Sequence, residues 1–85
     1  MFEILLDTQA QGFLESADEL TCSRAKEIFK ELTLAPVHRE AKRIIESQEK
    51  LFRLQSRYLR LLYRVNYENK KVVIIMIEPL SRMYR

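Results

Sequence analysis

Residues 72–77 form an unbroken apolar run, Val-Val-Ile-Ile-Met-Ile, which lies between Lys71 and Glu78. Its β-branched content predicts a strand, because such side chains pack well on a pleated surface. The strand has no polar side, so it needs neighbouring strands on both edges and cover on its faces. A chain of 85 residues has room for one core. The remaining residues must therefore build one domain, spanning 1–85, around this strand.

The first part of the chain predicts one short strand and two helices. Residues 2–6 alternate as a strand with one better apolar face. Thr8 is a good cap for a helix that runs to about Asp18. A second helix begins at Thr21 or Ser23, carries an apolar stripe and ends before Pro36. The short connection predicts a helical hairpin.

The second part of the chain predicts three strands. They cover residues 51–56, 59–67 and 71–78. Residues 67–70 read as a hairpin turn, in which Asn69 is best able to adopt a positive φ. The order βααβββ predicts an α+β fold, with an N-terminal strand and a helical hairpin packed on a mainly antiparallel sheet.

The segment 37–50 is ambiguous in the sequence. Its charge density suits a short helix, whereas Ile44 and Ile45 could anchor an irregular link to the core. We favour the irregular link.

Charge is distributed unevenly along the chain. Residues 1–34 contain three basic and seven acidic side chains, a net charge of −4, whereas residues 35–85 contain twelve basic and five acidic, a net charge of +7. This asymmetry predicts a basic working surface in the second half, with a polyanion as its partner. A solvated sheet face would carry similar charge, so composition alone leaves both readings open.

The residue inventory excludes several mechanisms. One histidine, His38, and one cysteine, Cys22, cannot build a zinc site of nitrogen and sulfur ligands, and we predict no metal or cofactor. Gly12 is the single glycine, which rules out a glycine-rich phosphate loop. We expect His38 to be a surface residue.

The sequence also carries signals for localisation. No stretch is long enough for a membrane span, and residues 1–7 lack the features of a signal peptide. A lone cysteine fits a reducing cytoplasm.

Arginine and tyrosine remain as the candidates for chemistry. Arg53 lies on the first of the three C-terminal strands, and Arg60 and Arg64 share one face of the second at a spacing of four. The turn between these strands and the end of the chain add further basic and aromatic residues: Arg57, Tyr58, Arg82, Tyr84 and Arg85. Guanidinium groups match phosphate geometry, and tyrosine can stack on a base or exchange a proton.

The second half of the chain resembles the RelE branch of the RelE/ParE toxin superfamily of type II toxin–antitoxin systems. The resemblance rests on Arg60-Leu-Leu-Tyr-Arg-Val-Asn-Tyr67, the apolar strand that follows it and the tail Arg82-Met-Tyr84. Pro36-Val-His-Arg-Glu40 is similar to a link found in archaeal members. The resemblance covers nearly the whole chain and is specific over about its last 35 residues, and the family fold is also βααβββ.

The resemblance implies a metal-independent endoribonuclease, an mRNA interferase that cuts mRNA in the ribosomal A site and inhibits translation. The ribose 2′-hydroxyl would attack the adjacent phosphorus. The resemblance implies four catalytic residues: Arg60, Arg53, Arg82 and Tyr84. By position, Arg60 would stabilise transition-state charge, and Arg53 matches the first basic residue of the preceding strand. Arg82 matches a tail arginine that contacts phosphate, and Tyr84 would stack on a base or transfer a proton. The residues expected to contact RNA are Arg57, Arg64, Arg85 and Gln55.

The chain also departs from the family pattern. Gln55 and Leu80 stand at positions that are often basic, and no glycine precedes the strand of Arg60.

Family membership further implies a RelB-like antitoxin, in a heterodimer or heterotetramer with the toxin, besides the ribosome and mRNA. Its contact points could include Leu20, Leu34, Phe52 and Leu54. Two alternatives stay open: a ParE-like inhibitor of DNA gyrase, and a non-catalytic module that binds RNA or ribosomes.

Overall fold

The computed structural model describes residues 1–45 and 48–80. In this part of the chain the elements are β1 (Glu3–Leu6), α1 (Thr8–Ser16), α2 (Glu19–Leu34), β2 (Ala41–Arg43), β3 (Leu51–Gln55), β4 (Leu59–Asn66) and β5 (Lys71–Pro79). The strands form one sheet in the order β1-β5-β4-β3-β2. Only the β1–β5 pair is parallel among the described strands. The predicted α+β class with a mainly antiparallel sheet is confirmed.

The apolar strand β5 lies inside the sheet, as its sequence predicts. It pairs in parallel with β1, with Ile4 opposite Val72, and antiparallel with β4, with Val65 opposite Val72. Beyond the end of β1, the amide of Gln9 continues the pairing, since it donates to the carbonyl oxygen of Ile77 at 3.1 Å and accepts from its N–H at 2.9 Å. Both edges of β5 are therefore satisfied along most of its length.

A β-bulge interrupts the pairing of β4 with β5. Tyr63 lies opposite Ile74, but Leu62 lies opposite Met76, so Ile75 has no partner on β4. The bulge shifts the alternation of β5 by one residue. Val72 and Ile74 are buried before it and Ile77 after it. The shift turns Ile77 toward the core and leaves Glu78 on the opposite face of the sheet.

The two helices cover one face of the sheet and enclose the core. Ala10 of α1 and Ala25, Ile28 and Leu32 of α2 are buried against this face. The strand residues in the same cluster are Phe52, Leu54, Leu59, Leu61, Tyr63, Val65, Val72, Ile74 and Ile77. They alternate along β3 and β4 with exposed or half-buried residues, so among the described residues the other face of the sheet is left open. No helix in the described ranges is long and apolar enough to cross a membrane.

The segment 37–50 is not the irregular link that we favoured from the sequence. Residues 41–43 form strand β2, which pairs antiparallel with β3, with Lys42 opposite Arg53. The strand adds a fifth member to the predicted sheet. Charged side chains are compatible with this position because β2 is an edge strand with one side in solvent.

Both helices begin earlier than predicted, because aspartates rather than hydroxyl residues cap them. The side chain of Asp7 accepts from the N–H of Thr8, and that of Asp18 accepts from the N–H of Thr21 at 2.8 Å. The hydrogen bonds from Thr21 lower the pKa of Asp18, with a smaller contribution from the charge of Arg24. Asn and Asp are the strongest N-cap residues.

The β4–β5 turn places its positive φ at Lys70, not at Asn69. The side chain of Asn66 accepts from the N–H of Asn69 at 3.0 Å. This side-chain contact starts the turn one residue before the predicted hairpin segment. Lys70 then adopts a φ of 53° as the chain enters β5.

His38 is buried, contrary to the surface position expected from the sequence. Its Nδ1 accepts from the backbone N–H of Glu40 at 3.1 Å, which assigns the ring proton to Nε2. Nε2 then donates to Glu31 of α2 at 3.1 Å. The histidine thereby holds the chain between α2 and β2 against the helix.

Tyr63 fixes the same segment from the sheet side. Its side chain is fully buried, and its hydroxyl donates to the carbonyl oxygen of Pro36 at 2.8 Å. The ring stacks on Phe52 at a centroid distance of 5.4 Å. Burial raises the pKa of Tyr63 to about 12. The hydroxyl therefore stays protonated and acts as a structural donor.

Replacing Tyr63 by phenylalanine should lower the free energy of unfolding by about 1–3 kcal/mol, because the carbonyl group of Pro36 loses its donor. Urea denaturation monitored by circular dichroism measures this change. The matched control is Tyr67→Phe at a half-exposed turn residue, for which we expect a change below about 0.5 kcal/mol. Equal effects of the two substitutions would contradict the role assigned to the Tyr63 hydroxyl.

Candidate functional site

The open face of the sheet carries a row of basic side chains. This face carries four basic residues, Lys42, Arg53, Arg60 and Arg64. The three arginines alternate with the buried residues of β3 and β4, and Lys42 of β2 lies opposite Arg53. Lys42, Arg53 and Arg60 occupy the half of the sheet nearest β2. Neither of the two described helices covers them, since both helices pack on the opposite face.

An open cleft of about 530 Å³ lies at this end of the sheet. It is bordered by β2, β3 and β4 and by the segment that precedes β2. Its lining residues are Arg39, Glu40, Ala41, Lys42, Arg53, Gln55 and Arg60. Four basic side chains and one carboxylate thus share the space, and the cleft has a clear preference for anions.

Arg60 occupies the centre of a row that crosses three strands. Gln55 of β3 lies opposite it on one side and Glu78 of β5 on the other. One guanidinium nitrogen, Nη1, is 3.4 Å from Oε1 of Glu78. The Nε atom of Arg60 is buried and has no hydrogen-bond partner among the described residues. Arg60 is therefore held in place by one carboxylate while another of its donors stays free.

A guanidinium group suits phosphate oxygens because of its fork-like geometry, so Arg60 at the cleft wall can contribute to an anion site. Directly opposite residues on neighbouring strands have Cβ atoms about 5 Å apart, so Lys42 and Arg53 form an adjacent pair of cations. The arrangement can bind a phosphodiester and concentrate positive charge on it.

The described residues contain no cluster of three or more histidine, cysteine, aspartate or glutamate side chains that could hold a metal ion. Cys22 lies in α2, where its thiol contacts the carbonyl oxygen of Leu14 at 3.4 Å. The charged and polar side chains that line the cleft are its four cations, Gln55 and Glu40, and Glu78 lies beside the cleft, opposite Arg60.

The structure brings together three of the residues selected from the sequence. Arg53, Gln55 and Arg60 line the same cleft. Arg57 lies in the β3–β4 turn and lines a neighbouring cavity. Arg64 lies at the other end of β4, where Nη1 is 3.9 Å from Glu49. Arg82, Tyr84 and Arg85 lie outside the described residues, and their roles stay predictions.

Sequence reasoning missed four residues of this site. Arg39, Glu40 and Lys42 reach the cleft because the 37–50 segment returns to the sheet as β2. For Arg39 and Glu40, the sequence did offer a signal, namely the similarity of residues 36–40 to a link found in archaeal RelE proteins. Glu78 faces Arg60 because of the bulge at Ile75, for which the sequence offers no signal.

Two of the four residues suggested as antitoxin contacts are buried, and the other two are exposed. Phe52 and Leu54 belong to the core and are inaccessible to a partner. Leu20 and Leu34 on α2 are exposed by 59% and 76%. Leu80, at a position that is often basic in the family, is buried, so its apolar character serves packing.

The fold is similar to solved structures of RelE proteins. A chain of the RelBE2 toxin–antitoxin complex from Mycobacterium tuberculosis superimposes with a TM-score of 0.76 at 25% identity, over 92% of this chain and 96% of that chain. The archaeal RelE–RelB complex from Pyrococcus horikoshii gives 0.76 at 23% identity, over 95% and 97%. The isolated RelE toxin from E. coli gives 0.78 at 16% identity, over 93% and 84%.

No protein-family model and no curated protein matches the sequence. The structural comparisons nevertheless cover almost the whole chain. A basic, single-sheet α+β domain with helices on one face is the class that the geometry defines. Within that class the chain has the RelE-type toxin fold, which confirms the resemblance seen in the sequence. The archaeal-like branch stays a prediction.

If the cleft is an anion site, Lys42→Ala and Arg53→Ala should each weaken binding of a short single-stranded RNA. Each substitution should also reduce the slope of log K against log salt concentration by about 0.7, the value for one phosphate contact on a single strand. Fluorescence anisotropy over a salt series measures both. Lys26→Ala, on the exposed side of α2, is the control and should leave affinity and slope unchanged. If the slope of log K against log salt concentration were the same in all variants, RNA would bind outside this cleft.

Proposed function

We propose that this protein is the toxin of a toxin–antitoxin pair and cleaves mRNA on the ribosome. The observation that carries the proposal is Arg60, which Glu78 holds at the wall of a cleft with three further cations. The RelE-type fold supports the same conclusion. A ribosome-directed activity also assigns the protein to the cytoplasm.

The proposed reaction is transesterification at one phosphodiester. The ribose 2′-oxygen bonds to the adjacent phosphorus as its proton leaves, and the bond from phosphorus to the 5′-oxygen breaks. The products are a 2′,3′-cyclic phosphate and a 5′-hydroxyl that takes up a proton. Negative charge on the phosphoryl oxygens grows in the transition state, so fixed cations around phosphorus lower the barrier. Correct in-line placement of the 2′-oxygen supplies a further part of the acceleration.

Arg60 is the residue best placed to stabilise that charge. Its guanidinium group would donate to a phosphoryl oxygen in the cleft, while Glu78 keeps that group in place through Nη1. Arg53 would contact phosphate from the next strand, with Lys42 beside it. Tyr84 remains the predicted residue for base stacking or proton transfer. None of these steps requires a metal ion.

The decisive test is primer extension on mRNA in a translating extract. We expect wild-type protein to cut at A-site codons and Arg60→Ala to lose at least about a hundredfold in cleavage rate, in the range seen when one preorganised donor is removed. Circular dichroism would establish that the variant is folded. The matched control is Arg64→Ala, on the same strand and face but ion-paired to Glu49, which should lose far less.

Intact mRNA with wild-type protein would contradict the endonuclease. A supercoiling assay with DNA gyrase would then test the ParE-like alternative, and sedimentation with ribosomes would test a non-catalytic binder. Full cleavage by Arg60→Ala would reject the role of this residue while preserving the function.

A RelB-like antitoxin is the proposed protein partner, since solved relatives of this fold are RelBE and RelE–RelB complexes. Such a chain would have to cover the basic cleft or distort it in order to block RNA. Leu20 and Leu34 offer exposed apolar contacts at the two ends of α2. We propose a heterodimer or heterotetramer of toxin and antitoxin.

The RelB-like antitoxin should form a complex with this protein and abolish its cleavage activity at equimolar concentration. Leu34→Ser should weaken that complex by about tenfold or more, because burial of a leucine side chain contributes about 1.5–3 kcal/mol. Calorimetric titration measures the affinity, and analytical ultracentrifugation gives the stoichiometry. Lys26→Ala on the same helix is the control. Unchanged affinity of the serine variant would exclude Leu34 from the interface.

A further inference from the structure

A second cationic group lies across the β3–β4 turn from the cleft. It consists of Arg24 from α2 and Arg57 from the turn, both placed against the ring of Tyr58. We call it the Tyr58 patch. An open cavity of about 300 Å³ adjoins it, lined by Thr21, Arg24, Arg57, Tyr58, Pro79 and Leu80 among others. None of these residues lines the cleft of Arg60.

The ring of Tyr58 orients the two arginines. The guanidinium carbon of Arg24 is 3.4 Å from the ring centroid, a distance that requires face-to-face stacking, and that of Arg57 is 5.5 Å away. Guanidinium N–H donors lie in the plane of the group, so stacking leaves the Arg24 donors directed sideways and free to bind a ligand. Cation–π contact thus reduces the freedom of the arginine without using its hydrogen bonds.

Neither arginine has a carboxylate within ion-pair distance among the described residues. Asp18 is the nearby acidic group, close enough for Arg24 to help lower its pKa but beyond 4.0 Å. Two preorganised cations that form no ion pair with a described carboxylate fit an anion that accepts hydrogen bonds, and phosphate meets both conditions. A purely apolar protein segment would leave both charges unpaired.

The turn that carries the patch is held rigidly. The hydroxyl of Ser56 accepts from the N–H groups of Tyr58 and Leu59 and donates to the carbonyl oxygen of Leu59. The N–H of Leu80 donates to the carbonyl oxygen of Tyr58 at 3.0 Å. Gln55 and Arg60, which flank this turn, line the cleft on its other side. One ligand strand can therefore cross the turn and contact both groups.

We infer that the Tyr58 patch binds backbone phosphates of the RNA strand whose cleaved bond lies in the Arg60 cleft. The inference rests on the proposed function for the identity of that strand. It assigns Arg24 and Arg57 as phosphate-binding residues and Tyr58 as the positioning residue that orients them. The patch lengthens the RNA interface beyond the reacting nucleotides.

RNA length provides the test. In the Arg60→Ala background, which prevents cleavage, we would compare a dinucleotide with a single strand of about ten nucleotides, within the usual site size of single-strand-binding folds. Arg24→Gln with Arg57→Gln should weaken binding of the longer strand by about tenfold and reduce its salt slope by about 1.4, for two phosphate contacts. Dinucleotide affinity should not change. Lys26→Gln is the control on the same helix.

Tyr58 variants separate orientation from charge. Tyr58→Leu should weaken binding of the longer strand several-fold with an unchanged salt slope, and Tyr58→Phe should restore wild-type affinity, since the ring is the part that the arginines contact. Thermal unfolding would be measured for each variant.

Unchanged affinity of the double glutamine variant for the longer strand would overturn the inference, as would a loss that appears only in antitoxin binding. Failure of the proposed function would give a different result. Wild-type protein would then leave mRNA intact in translating extracts. Binding of the longer RNA strand would still require Arg24 and Arg57.

Discussion

The pairing of β5 with β1 on one edge and β4 on the other is the interaction on which the rest of the structure depends. An apolar strand in this position must be covered, and α1 and α2 bury one side of it with Ala10, Ala25, Ile28 and Leu32. Because the helices lie on one face, the other face of β3 and β4 remains open for charged residues. The division between a covered and an open face therefore determines where a ligand can bind.

The cleft depends equally on how the chain returns from α2 to the sheet. Tyr63 holds the carbonyl group of Pro36, and His38 connects Glu31 of α2 with the backbone of Glu40. These contacts fix the segment before β2, which then pairs with β3. Arg39 and Lys42 reach the open face through this route. A buried tyrosine and a buried histidine, neither of them in the cleft, thus support its basic wall.

The sequence predicted the fold class, both helices and four of the five described strands, because apolar periodicity and turn residues are local signals. Strands β3, β4 and β5 and the end of α2 before Pro36 all carry such signals. The strand β2 does not, since its residues are charged and its conformation depends on pairing with β3. The burial of His38 likewise depends on contacts with Glu31, a residue seven positions away on a helix.

The sequence by itself determined that Arg53 and Arg60 would share an open sheet face, because strand alternation places them there. Only the tertiary structure decided what surrounds Arg60. Without the bulge at Ile75, the register would set Ile77 opposite Arg60 on the open face and Glu78 opposite the buried Leu59. One unpaired residue exchanges these positions. The physical reason is the cost of burying a carboxylate and exposing an isoleucine, which the bulge avoids.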